Sequence, residues 1–147
     1  MSEGQKLKIK SCMIDNNSRF EKTEIETDSG VVTFTQRPMT AGEHQISMDE
    51  ARVSEVKYLP DPNDPTGKNV IPEVYVRTKS ELLNLLRILF SLGGEYNGEK
   101  HKIGNEGWTI DIPVNMESVR KLHPQLLNVL GDKAISLNSF DEAERKN

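Results

Sequence analysis

The sequence predicts an α+β domain in which one antiparallel sheet of about six to eight strands packs against two or three helices on one of its faces. Three observations support this prediction. Alternating or β-branched segments fill most of the first half of the chain, and a leucine-rich helical pattern and a second helical region follow them. Strands and helices do not alternate over any long stretch, so the pattern is not typical of a parallel sheet with crossover helices.

Length and composition indicate one folded domain. The chain has 147 residues, of which 35% are hydrophobic and 29% charged, and we take 1–147 as a single domain. Its one cysteine, Cys12, excludes an intrachain disulfide and a zinc site built on several thiolates. The N-terminus lacks the apolar core of a secretory signal, and the most apolar stretch, 82–92, is too short and too polar to span a bilayer. We therefore expect a protein of the cytoplasm, or of a host cytoplasm, without a membrane partner.

Strand patterns dominate the first half of the chain. Leucine and isoleucine alternate with lysines near the N-terminus, which is the pattern of a half-buried strand. Two β-branched runs then flank Asp28-Ser29-Gly30, where glycine supplies the positive φ of a tight hairpin. A loop with proline and glycine at 37–43 separates them from a weaker run and from another pair of strands. The predicted strands are 6–14, 23–27, 31–36, 44–48, 53–59 and 70–77.

The segment 60–67 is predicted to be a stiff projecting loop. It contains three prolines and a glycine in eight residues, and such a segment cannot be part of a β ladder. Its acidic residues do not follow the pattern of a calcium loop, because Pro65 and Thr66 occupy the fifth and sixth positions. We expect this loop to be a partner-contact region, formed by Asp61, Asn63 and Asp64.

A helix is predicted over 79–92. Thr78 and Glu81 have the spacing of a capping box, and Gly93-Gly94 ends the pattern. The apolar arc is much wider than the ~100° that a surface helix buries. Either the helix is central, between the sheet and the later helices, or the surplus lies in a subunit or partner interface. In the second case its polar stripe belongs to the contact region, with candidate residues Asn84, Arg87 and Ser91.

The last third of the chain combines a hairpin with helices. Lys100–Ile103 and Trp108–Ile112 are predicted to pair across a glycine-containing turn, with Trp108 facing the same way as Ile110. Helices are predicted over 116–122 and 124–130, with a kink at His123 because Pro124 interrupts the pattern. A short strand at 133–137 and a frayed tail at 141–147 complete the prediction.

No motif in the sequence indicates catalysis, a metal or a cofactor. His44, His101 and His123 have no metal-ligand spacing, and neither a nucleophile elbow nor a glycine-rich phosphate loop is present. Cys12 lies on the lysine-rich face of the first predicted strand, where nearby cations would lower a thiol pKa. An enzyme would therefore need a site assembled from dispersed residues, with His44, His101 and Cys12 as its candidates.

By elimination, the leading hypothesis is a non-catalytic module that binds a protein partner or assembles into a homo-oligomer. An inhibitor or immunity-type protein that acts by steric blocking would fit a short acidic chain of net charge −4.

The first alternative is a nucleic-acid or nucleotide-binding module that uses the predicted 96–108 hairpin. Aromatic side chains interleaved with cations can stack bases, and this segment contains Tyr96, Lys100, His101, Lys102 and Trp108. The alternation of the strand instead favours Trp108 as a core residue.

Overall fold

A computed structural model describes residues 13–14 and 18–138 of the chain. Most of the predicted strand 6–14, with Cys12, and the predicted tail 141–147 lie outside the described residues. In the described part the elements follow in this order: β1 (Glu21–Thr27), β2 (Gly30–Gln36), α1 (Ala41–Ala51), β3 (Arg52–Pro60), β4 (Val70–Thr78), α2 (Ser80–Ser91), β5 (Glu95–Tyr96), β6 (Glu99–Lys100), β7 (Gly107–Trp108), α3 (Met116–Arg120) and α4 (Pro124–Leu137).

The α+β class and the antiparallel pairing are confirmed, but the single large sheet is wrong. The described strands form three small sheets, ordered β1-β2-β7, β3-β4 and β5-β6. The predicted hairpin of the first sheet is present, in register from Glu21↔Gln36 to Thr27↔Gly30, and Gly30 has the expected positive φ of 115°. Strand β7 joins it through the pair Phe34↔Trp108.

Helix α2 lies at the centre of the body, by which we mean the described residues outside 52–78. Leu86, Ile88, Leu89 and Phe90 are fully buried, and α1, α3 and α4 all pack against this helix. Phe34 from β2 joins the same core. The wide apolar arc of the helix is therefore covered largely by the chain's own elements, which is the central-helix interpretation of the sequence.

One glycine allows α4 to lie close to α2. Gly131 is buried inside α4, and a Cβ at this position would lie 2.4 Å from Oδ1 of Asn84. The predicted end of the helix at Gly131 and the predicted strand 133–137 are both wrong. The helix continues to Leu137 because Leu130, Ala134 and Leu137 share one buried face at helical spacing.

Several boundaries in the first half differ from the prediction for reasons of capping. The predicted strand 44–48 is instead part of α1, which begins after a capping box formed by Thr40 and Glu43. The capping box predicted at Thr78 is absent, because Thr78 pairs with Arg52 at the end of β4 and Lys79 precedes α2 as its N-cap.

The predicted pairing of 100–103 with 108–112 is also wrong. Lys100 pairs with Glu95 in β5-β6, and Trp108 pairs with Phe34 in the first sheet. The predicted helix 116–122 is shorter, and His123 caps α4 by accepting a hydrogen bond from the backbone N–H of Gln125 at 3.2 Å.

Within residues 13–14 and 18–138, no helix has the length and apolar content required to cross a membrane.

Shortening Leu89 to alanine should destabilise the body strongly. Leu89 is fully buried against Phe34 and Leu130, so the substitution leaves a cavity, and we expect a loss of about 2–5 kcal/mol in the free energy of unfolding in urea. Val129→Ala in α4 is the control, because Val129 is 41% exposed and should cost less than about 1 kcal/mol. Equal losses for the two variants would contradict the central position of α2.

Candidate functional site

The most exposed apolar feature of the described residues is the two-stranded ribbon formed by β3 and β4. The strands pair over nine positions, from Arg52↔Thr78 to Pro60↔Val70, and no third strand joins them in the described part of the chain. The backbone N–H of Lys79 donates to the carbonyl of Ala51 at 2.7 Å, which closes the base of the ribbon where it leaves α1 and enters α2. All residues of β4 are exposed, so this ribbon extends away from the core.

The two faces of the ribbon differ in chemistry. Directly paired residues of an antiparallel ribbon point to the same side, so the register assigns every side chain to one face. We call the first the apolar face; it begins with Arg52↔Thr78 at the base and continues with Ser54↔Val76, Val56↔Val74, Tyr58↔Pro72 and Pro60↔Val70. Its five large hydrophobic side chains are between 51% and 68% exposed: Val56, Tyr58, Val70, Val74 and Val76.

The opposite, charged face compensates its own charges. Nε of Arg77 donates to a carboxylate oxygen of Glu55 at 2.7 Å, and Nζ of Lys57 lies 5.0 Å from the centre of the Tyr75 ring. A hydrogen bond to Glu73 raises the pKa of Tyr75. The other pairs of the charged face are Val53↔Arg77 at the base and Leu59↔Ile71 near the tip.

Prolines limit hydrogen bonding at both outer edges of the ribbon. Because Pro72 has no N–H, its pair with Tyr58 must be a non-hydrogen-bonded pair, and every other pair of the apolar face has the same parity. The N–H and C=O groups of the apolar-face residues therefore point outward, toward the two edges. Pro60 on one edge and Pro72 on the other remove a donor that an added strand would need.

The tip of the ribbon is the predicted stiff loop. The carboxylate of Asp64 accepts hydrogen bonds from the side-chain hydroxyl of Thr66 at 2.6 Å and from the backbone N–H of Asn69 at 2.8 Å. These bonds lower the pKa of Asp64, and the bond from the Thr66 hydroxyl has the largest effect. Asp61 accepts the backbone N–H of Asn63 at 2.9 Å. The predicted contact residues Asp61, Asn63 and Asp64 thus share a self-organised tip beyond the apolar face.

The three predicted helix residues do not lie on one free surface. Ser91 is fully buried and its hydroxyl accepts a hydrogen bond from Gln36 at 2.9 Å. Asn84 lies against Gly131 of α4, and Arg87 is half-buried. Ser91 therefore offers nothing to a partner, and the ribbon rather than α2 is the available surface.

A buried ionic cluster joins three parts of the body. Arg37, directly after β2, is fully buried and uses all five of its N–H donors. Two go to the carboxylate of Glu43 at 2.8 Å each, and one goes to Glu106 at 2.5 Å. The other two go to the carbonyls of Pro38 at 2.8 Å and His101 at 2.7 Å. A guanidinium with every donor used is a rigid junction between β2, α1 and the 101–106 segment.

The carboxylates of this cluster also hold backbone groups. Glu106 accepts the backbone N–H groups of Ile103 at 2.9 Å and Gly104 at 2.7 Å, and it is 1% exposed. Burial alone would raise the pKa of Glu43, but hydrogen bonds from Arg37 and Thr40 and the charge of Arg37 lower it overall. Burial likewise opposes the charge of Arg37, and its two carboxylate partners raise its pKa overall. Sequence reasoning missed this cluster, for which the T-x-x-E spacing at Thr40 was the one local signal.

The proposed nucleic-acid residues divide into two groups. Lys100, Lys102 and Trp108 line a groove of about 410 Å³ between β7 and the 112–114 segment, together with Glu95. Tyr96 and His101 instead pack edge-on against Phe90, with ring centres at 5.6 Å and 4.8 Å. Trp108 is half-buried, and it contacts Phe34 at 6.0 Å between ring centres, so it belongs partly to the core.

Of the dispersed residues of the enzyme alternative, the described structure includes His44 and His101, and they lie in different environments. His44 is exposed on α1, whereas Nδ1 of His101 lies 3.1 Å from Glu43 inside the ionic cluster. Cys12 lies outside the described residues. Within the described ranges, no group of three or more histidine, cysteine or acidic side chains could hold a metal ion.

Comparison with known proteins gives no family for this chain. No protein-family model matches it, and no curated protein or solved structure is significantly similar to it. The surfaces described above are therefore the whole basis for a functional proposal.

Replacing Arg37 with leucine should destabilise the fold by about 3–5 kcal/mol, because two buried carboxylates would lose their shared cation. The measurement is urea unfolding at pH 7. Arg77→Leu is the matched control, since it also removes an arginine from an ion pair, but one whose side chains are 60% and 41% exposed, and it should cost no more than about 1 kcal/mol. Similar losses in both variants would contradict a structural role for the cluster.

The stability of the protein should fall in acid partly through Glu43. Its pKa is lower in the folded protein than the ordinary value of 4.5, so its stabilising effect is complete above that value and disappears as the pH falls through the folded pKa. Glu43→Gln should reduce stability at pH 7 and flatten the decline below about pH 4.5 in thermal unfolding. Glu117→Gln, at an exposed pair in α3, should leave the decline unchanged.

Proposed function

We propose that the chain is a non-catalytic protein-binding or self-assembling module and that the apolar face of the β3–β4 ribbon is its contact surface. The observation that supports this most is the exposure of that face. Five of the fourteen exposed large hydrophobic side chains among the described residues lie on this one face: Val56, Tyr58, Val70, Val74 and Val76. Monomeric proteins seldom leave a contiguous apolar patch of this kind in water, and such patches mark interaction sites.

The ribbon also has the form of an interaction element. A two-stranded ribbon alone is marginally stable in water, so covering one of its faces would stabilise it as well as bind a partner. The charged face needs no cover because its ion pair and its lysine–tyrosine contact are made within the ribbon. The prediction of a contact at Asp61, Asn63 and Asp64 is consistent with this proposal, since the tip extends the same arm. Steric blocking, as in an inhibitor, would need no more than such a surface.

A second candidate function is binding of single-stranded nucleic acid or a nucleotide in the groove beside β7. It is supported by the position of Lys100, Lys102 and Trp108 in one groove wall. The net charge of −4 and the presence of Glu95 in the same groove weaken it.

A photoreactive amino acid placed on the ribbon tests the first proposal in the cell that makes the protein. At Val74, which is 64% exposed on the apolar face, it should give one cross-linked product; at Ile71, which is 44% exposed on the charged face, it should give little. The two positions lie on the same strand, so expression and folding are matched. Equal products at both positions, or none at either, would count against the proposal.

Charge reversal at Lys100 and Lys102 tests the second candidate. If the groove binds a single-stranded oligonucleotide, the double change to glutamate should weaken binding at low salt by at least ~10-fold and reduce the salt dependence by about one to two released ions. Reversal of Arg120, the last residue of α3, and of Lys121, its C-cap, both exposed, is the control with the same change in net charge. Absence of binding by the wild-type protein at low salt would remove this candidate.

A further inference from the structure

We infer that the partner of the apolar face is a second copy of this chain, docked face to face about a two-fold axis. This inference rests on the proposed function and specifies the occupant. In a symmetric dimer the same patch must complement itself. The apolar face meets that condition beyond its base, because the four pairs from Ser54↔Val76 to Pro60↔Val70 contain no charged residue and the one cation of the face, Arg52, lies at the base.

The available area lies at the lower limit for such a dimer. Two apolar faces pressed together would remove at most about 1,000 Å² from water, which is close to the lower size of a specific interface. This value follows from roughly 500 Å² of exposed side chain on each copy, contributed by Val56, Tyr58, Val70, Val74 and Val76.

The prolines favour packing of faces over pairing of edges. An edge-to-edge dimer would need a row of outward N–H groups; Pro72 interrupts that row on β4, and Pro60 removes the last donor of β3. Face-to-face packing needs none of these groups and forms a small four-stranded sandwich with layers about 10 Å apart. The same contact supplies the second layer that an isolated ribbon lacks.

A second copy also explains why the face can remain this apolar. A ribbon reserved for an occasional different partner would be uncovered whenever that partner was absent, and charged residues commonly protect such surfaces. A copy of the chain is present wherever the chain is, so the face is covered as soon as the concentration exceeds the dissociation constant of the dimer.

The experiment is sedimentation velocity on the full chain from about 1 to 100 µM. The wild-type protein should be a dimer at the upper end, and Val74→Glu should weaken the dimer by at least ~100-fold, because two carboxylates would be buried at its centre. Ile71→Glu, on the charged face of the same strand, should change the dissociation constant by no more than ~3-fold. Val56→Glu, opposite Val74, is the second variant on the apolar face and should act as Val74→Glu does.

Amide hydrogen exchange distinguishes the two docking modes in the wild-type dimer. With faces packed, the outward N–H groups of Val56 and Val74 have no bonding partner and should exchange faster than the inward N–H of Tyr75. Protection of Val56 or Val74 equal to that of Tyr75 would indicate edge pairing and overturn the face-to-face arrangement.

The remaining outcomes are equally decisive. A wild-type monomer at all concentrations, or a dimer that Val74→Glu and Ile71→Glu affect equally, overturns the self-docking inference. If that monomer still forms a complex with a different protein that depends on Val74, the proposed function stands with another partner. If no complex depends on Val74, both fail.

Discussion

The buried guanidinium of Arg37 is the constraint on which the rest of the body depends. Its five N–H groups join the end of β2, the first turn of α1 and the 101–106 segment through Glu43, Glu106 and two carbonyls. A buried charge is tolerated only when it is paired and hydrogen-bonded. These three parts of the chain must therefore meet in one arrangement, and that arrangement closes the body around α2.

Closure of the body explains where the remaining apolar surface lies. Since α1, α3 and α4 pack against α2, most of the leucine-rich circumference is already buried within the chain. The ribbon leaves the body between α1 and α2, closed at its base by the 2.7 Å bond from Lys79 to Ala51. It therefore projects as an arm whose apolar face the body does not cover, and the proposed contact surface is separate from the core that holds the arm in place.

The two faces of the ribbon differ in polarity. The charged face, with the Arg77–Glu55 ion pair, keeps one side of the arm compatible with water. In the proposed function the apolar face supplies contact area, and Pro60 and Pro72 discourage extension of the sheet at the edges. Such an arm favours one defined association over open-ended strand addition, which is a general hazard for exposed ribbons.

Local sequence signals predicted the elements that are stabilised locally. The β1–β2 hairpin followed from Gly30 and its flanking β-branched runs, and α2 followed from its leucine spacing, because turn geometry and helical periodicity are properties of neighbouring residues. The same reasoning failed where contacts distant in sequence decide. Glycine often ends a helix. Gly131 instead lies within α4, because its missing side chain allows close approach to Asn84.

The α+β class, the strand pairs at 23–36 and 53–77, the proline-rich loop between the second pair and the leucine-rich helix at 79–92 could all be predicted from local sequence patterns. Which apolar surface stays uncovered could not be predicted in this way, since that depends on how the helices pack and not on the composition of any one segment. The register of β3 and β4 then assigned Val56 and Val74 to one face and Glu55 and Arg77 to the other. The sequence analysis did not predict the Arg37 cluster either, because its charged partners are 6 and 69 residues away along the chain.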